Sequence, residues 1–85
     1  SAIANTAIGM SSLFWNNASY NTAVGFESLN QNSSGQNNTA VGTSSLFGNT
    51  TGNNNTGVGD STGFHVGAGH DNVFVGKNSG KNNNG

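Results

Sequence analysis

Two histidines, His65 and His70, flank the glycine-rich stretch Val66-Gly67-Ala68-Gly69, and Asp71 follows at once. Imidazole nitrogens are ordinary ligands for zinc or iron, and one histidine from each of three chains could close a metal site on a symmetry axis. The spacing matches no established ligand motif, so two turn histidines are the simpler expectation. Asp60 and Asp71 could hold Ca²⁺ together with turn carbonyls. The run Gly57-Val58-Gly59-Asp60 has no paired glycines, however, and its aspartate does not recur along the chain. Glycoside cleavage needs two carboxylates across a sugar. The only glutamate, Glu27, has its next acidic residues at Asp60 and Asp71, which leaves open a pair contributed by two chains. No Ser/His/Asp set and no phosphate-cradling glycine loop before a helix is present. The expectation is a protein that is not an enzyme, with no catalytic residue, no cofactor and no metal.

What must position these residues is a repeat. Asn5-Thr6-Ala7-Ile8-Gly9 recurs as Asn21-Thr22-Ala23-Val24-Gly25, Asn38-Thr39-Ala40-Val41-Gly42, Asn55-Thr56-Gly57-Val58-Gly59 and, weakened, Asn72-Val73-Phe74-Val75-Gly76. The starts at 5, 21, 38, 55 and 72 are separated by 16 or 17 residues. Ser12-Leu13, Ser28-Leu29 and Ser45-Leu46 travel in phase with the motif, as do Asn32 with Gly35 and Asn49 with Gly52. Helical solenoids need about 30 residues or more per unit. A shorter unit with Asn and Gly in every turn suits two short strands and two turns. The chain is therefore expected to be all-β, a single parallel β-solenoid domain (a β-roll or β-helix) over residues 1–85, with about five coils and a partial repeat or cap at 77–85.

Strand alternation then assigns faces. The aliphatic row Ile8, Val24, Val41, Val58 and Val75 is expected to point inward, with Ala7, Ala23, Ala40 and Gly57 on the opposite side. A second strand over 11–14, 27–30 and 44–47 should turn Leu13, Leu29 and Leu46 inward to meet the valines. Gly9, Gly25, Gly42, Gly59 and Gly76 should mark corners with positive φ or close backbone approach. The motif asparagines are expected to bond to turn backbone or to form a ladder between coils. Gly63 at a leucine position, Val66 at an asparagine position and Phe74 at an alanine position suggest a cap or junction. The tail from Asn82 to Gly85 suggests fraying or truncation.

Composition narrows the partners. Only two Lys against three Asp or Glu give a formal charge of −1, and no basic footprint for nucleic acid. No apolar run approaches the ~20 residues that span a bilayer, so membrane insertion is not expected. There is no cysteine and no proline, while 17 residues are Asn. Disulfides and thiolate metal sites are excluded. The start at Ser1 suggests processing or a fragment. Met10, Phe14, Trp15, Tyr20, Phe26, Phe47, Phe64 and Phe74 exceed what a thin two-layered roll can bury. A homo-oligomer is expected, with copies covering the surplus.

The repeat unit resembles the Asn-Thr-Ala-(Ile/Val)-Gly repeats of phage tail-fibre-like proteins and large bacterial surface proteins. It is also similar, with longer coils, to the head repeats of trimeric autotransporter adhesins. The resemblance spans residues 5 to 76. It implies a homotrimeric segment of an extracellular, cell-surface or virion-associated fibre, spacing or presenting a binding tip for a glycan or protein receptor. The motifs would build the shaft without marking the receptor site. One alternative is a filament subunit stacking end to end through unpaired strand edges. Another is a glycan- or ice-binding ladder of Thr6, Thr22, Thr39 and Thr56, which the assigned parity turns partly inward. Asn17, Asn32, Asn37, Asn49 and Asn54 stand in glycan acceptor tripeptides, weak signals in so Asn-rich a chain.

Overall fold

The computed structural model describes residues 3–82, so the tail expected to fray lies largely outside the described part. Short strands form where β-branched residues alternate: β1 Thr6–Ile8, β2 Thr22–Val24, β3 Thr39–Val41, β4 Thr56–Val58 and β5 Val73–Val75. They pair in parallel, in chain order, as one five-stranded sheet. The register sets like over like, Thr6 beside Thr22, Thr22 beside Thr39 and Thr39 beside Thr56. The protein is an all-β parallel solenoid, with no helix among the described residues.

The expected second strand does not form. Residues 27–32 run instead through overlapping turns, in which Ser28 donates to the Gly25 carbonyl, Asn30 to Glu27 and Asn32 to Leu29. The intervening amides leave the coil: Glu27 donates to Met10 in the coil before, while Leu29 and Gln31 donate to Ser45 and Phe47 in the coil after. Alternate N–H groups thus serve the turn and the stack. This geometry needs left-handed backbone at Glu27 (φ 58°) and Leu29 (φ 48°), and again at Ser44 (57°) and Leu46 (51°). Such φ values are uncommon outside glycine, costing of order 1–2 kcal/mol per residue. Hydrogen bonds to both neighbouring coils and the complete burial of Leu29 and Leu46 offset that cost.

The alternation is real along β2 to β5, but its phase is opposite to the expected one, while all three residues of β1, Ala7 included, are exposed at the open end of the stack. Ile8, Val24, Val41, Val58 and Val75 face outward. Ile8 is 61% and Val75 67% exposed, Val41 and Val58 are at 37% and 40%, and Val24 is half-buried. The small row lies inside, with Ala23 and Ala40 inaccessible and Gly57 buried. The reason is width. A Cβ placed on Gly57 would stand 2.7 Å from Ser45 Oγ and 3.1 Å from Leu46 Cγ, so valine has no room opposite the leucines. Leu29 and Leu46 do point inward, and Leu13 packs partly buried against the same cluster.

Phe74 explains the glycines at the leucine positions of the deviant repeats, while Val66, at an asparagine position, is wholly buried in the apolar core. It sits in the inner row at 8% exposure, and a Cβ on Gly63 would meet its ring at 2.7 Å, while one on Gly80 would overlap it. Where leucine is replaced by glycine in the last two coils, the phenyl ring arrives from the sheet side and fills the space.

The five corner glycines have φ between 110° and 130°. At Gly42 (φ 127°) a Cβ would also lie 2.5 Å from the Gly59 carbonyl oxygen one coil on. Gly42→Ala is expected to lower stability by about 1–3 kcal/mol or more, read as an earlier urea midpoint with an unchanged m-value.

Polar groups fill the rest of the interior. Asn21, Asn38 and Asn55 are wholly buried. The Oδ1 of each accepts the backbone N–H of the next motif asparagine, at 3.0 Å from Asn21 to Asn38, 2.9 Å from Asn38 to Asn55 and 3.0 Å from Asn55 to Asn72. Their Nδ2 atoms donate to Gly35, Gly52 and Gly69 carbonyls, closing each coil. A second row runs beside it: Asn32 Nδ2 donates to Asn16 Oδ1 at 2.6 Å, and Asn49 Nδ2 to Asn32 Oδ1 at 2.9 Å. Among the described residues, no buried side-chain polar atom lacks a partner.

Candidate functional site

The residues that could do chemistry are not brought together. His65 and His70 are both exposed. His65 lies edge-on to Phe64 with ring centroids 4.8 Å apart, and its Nδ1 is 3.3 Å from the Lys81 carbonyl oxygen. Asp60 accepts a 2.7 Å hydrogen bond from the Ser61 hydroxyl beside it. Asp71 is exposed and donates its backbone N–H to the Asn53 carbonyl. Glu27 sits half-buried on a left-handed turn two coils before Asp60. Among the described residues no three His, Asp or Glu side chains converge as a metal would need, and their surface holds no enclosed cleft. No described helix is long and apolar enough to cross a membrane.

Two of the glycan acceptor positions are structural. Asn32 and Asn49 are inaccessible, their Nδ2 atoms engaged with Gly35 and Gly52 carbonyls at 2.9 and 3.0 Å. Asn17, Asn37 and Asn54 are exposed.

What the solenoid does display is surface pattern. The outer face of the sheet carries two columns side by side. One is Thr6, Thr22, Thr39, Thr56 and Val73; the other is Ile8, Val24, Val41, Val58 and Val75. The parity that kept the valines from the core also turns the threonines out, contrary to the expectation that they lean inward. Larger apolar groups collect elsewhere. Ile3, Met10, Phe14, Trp15, Tyr20 and Phe26 are all between 45% and 73% exposed, and all belong to the first two coils. Phe14 and Trp15 meet edge to face at 5.0 Å. Further along, Phe47 and Phe64 stack on each other at 4.8 Å with an interplanar angle of 11°, each half-buried by the other and its coil. The surplus of aromatics is thus confined to residues 3–26.

A signal for the true phase was present in the sequence. The inner positions trade size: alanine goes with leucine in the early coils, and Phe74 goes with Gly63 and Gly80. Compensating volumes of that kind mark neighbours inside a packed core. No protein-family model, curated protein or solved structure matches the chain.

Proposed function

We propose that this chain is a structural module of an extracellular, cell-surface or virion-associated fibre, spacing or presenting a tip that binds a surface glycan or protein. The observation that carries the reading is the unbroken register of β1 to β5 over a continuous asparagine ladder. A stack of this kind is a linear spacer, because each coil contacts only its neighbours and adds a fixed rise. The resemblance of the repeat to tail-fibre-like and adhesin-head repeats supports the same role. A homotrimer is the assembly proposed with it, and the apolar residues exposed at 3–26 are where copies would gain most from contact.

Duplicating residues 38–54 in place tests the spacer role. A folded product lengthened by about 4.8 Å per inserted copy is expected, measured by small-angle scattering; an insertion that unfolds the chain or leaves its length unchanged would defeat it. Sedimentation and electron microscopy test the assembly. Discrete short particles with the mass of three chains are expected, whereas long uniform fibres would make the protein an end-to-end filament joined through the free edges of β1 and β5.

A further inference from the structure

We propose that the outer face of the sheet binds ice, with the threonine and valine columns acting as a template for a crystalline layer of water. In-register parallel pairing places the Thr6, Thr22, Thr39 and Thr56 hydroxyls in a column repeating at the strand spacing, about 4.8 Å. The second column, Ile8 to Val75, stands two residues further along each strand, roughly 6.6 Å away. Side chains therefore repeat in two dimensions on one face, as the oxygens of an ice surface do.

The chemistry of the columns fits that occupant. A hydroxyl both donates and accepts, which is what a lattice water requires of a neighbour. Among the described residues, none of these four hydroxyls hydrogen-bonds to another protein group. They are exposed at Thr6 and half-exposed at Thr22, Thr39 and Thr56, all open to water. The threonine and valine methyls make no hydrogen bonds, so water beside them is held by other water. Neither column contains a charge, which would impose its own hydration shell on the layer. The asparagine ladder bonds the residue before each strand to its equivalent in the next coil, so the register of the columns is set before binding.

A second copy is a poorer occupant of this face. It would cover a row of hydroxyls that need water or a matched partner, while the largest exposed apolar groups lie outside the two columns, at Met10, Phe14, Trp15, Tyr20 and Phe26. The inference is independent of the fibre role, since a spacer can carry an ice-binding side.

The test is the partition of the whole chain into a slowly grown ice hemisphere, together with thermal hysteresis of its solutions. Enrichment in ice and faceted crystals are expected. The double variant Thr22→Tyr/Thr39→Tyr should lower both about tenfold, equivalent to ~1.4 kcal/mol at the face. Tyrosine suits an exposed strand position, and an unchanged circular dichroism spectrum and urea midpoint would show that the fold survives. Gln31→Tyr, on the turn side, should leave ice binding as it was. Exclusion of the folded native chain from ice would overturn the proposal. So would equal partition of native and double variant. A native oligomer that the double variant converts to monomer would also overturn it, showing that copies of the chain cover the face.

Discussion

Replacing Asn38 with alanine is expected to cost roughly 1.5–4.5 kcal/mol, since it strands the buried Asn55 N–H at about 1–3 kcal/mol and removes one of the two hydrogen bonds to the Gly52 carbonyl, which Asn49 Nδ2 still serves, at about 0.5–1.5 kcal/mol. Asn38 Oδ1 accepts the Asn55 backbone N–H at 2.9 Å, and its Nδ2 donates to the Gly52 carbonyl at 2.9 Å. Asn38 and Asn55 are inaccessible and Gly52 is buried, so water cannot stand in without opening the coil. The loss is a large fraction of the stability of a small domain, about 5–15 kcal/mol. A large fall in the urea midpoint is therefore expected. Gln36→Ala, at an exposed position nearby, should stay within about 0.5 kcal/mol. Equal midpoints for the two variants would mean that the ladder contributes nothing to stability.

The second large effect concerns the exchange of volumes at the end of the stack. Phe74→Ala should cost about 3–5 kcal/mol, because it removes a ring that occupies the space of two missing leucines. Gly63→Leu alone should cost about 1–3 kcal/mol through overpacking against that ring. Made together, the two changes restore the alanine and leucine pairing of the earlier coils, with only the Gly80 side left short of volume. Gly63 has φ 52°, and Leu46 already holds φ 51° at the equivalent position. The incoming leucine therefore needs no change of φ, and the flexible end of Leu46, which its Cβ would meet at 2.8 Å, has to shift. A double-mutant cycle should give a favourable coupling of about 0.5–3 kcal/mol. Strict additivity would show that Phe74 and the leucine position do not share one space.

The repeat register, the stacking of coils, the inward leucines and the positive φ of the corner glycines can all be read from residue types and spacing. Which way the strand faced could not be read from alternation alone, because Thr-x-Val and x-Ala-x are both consistent with period two. Hydrophobicity favours valine as the inner residue, yet the narrow coil favours alanine, and volume decides. The turn segment was hidden for a different reason. Leucine is a poor candidate for left-handed backbone, and nothing about Leu29 or Leu46 by itself shows that bonds to two neighbouring coils hold it there. The asparagines, which composition assigns to the surface, include the largest buried polar side chains, since an interior made mostly of backbone needs amides to match it. The candidate functional face followed the strand phase, so one inverted parity hid both.

The side-chain bonds of the motif asparagines also have a direction. Each Oδ1 catches the backbone N–H of a coil made later, from Asn5 to Asn21 and onward to Asn72. A chain emerging from its amino end always finds the acceptors for its next coil already in place. Winding can therefore keep pace with synthesis, and a longer array need not fold more slowly per coil, since every new contact reaches back only one turn.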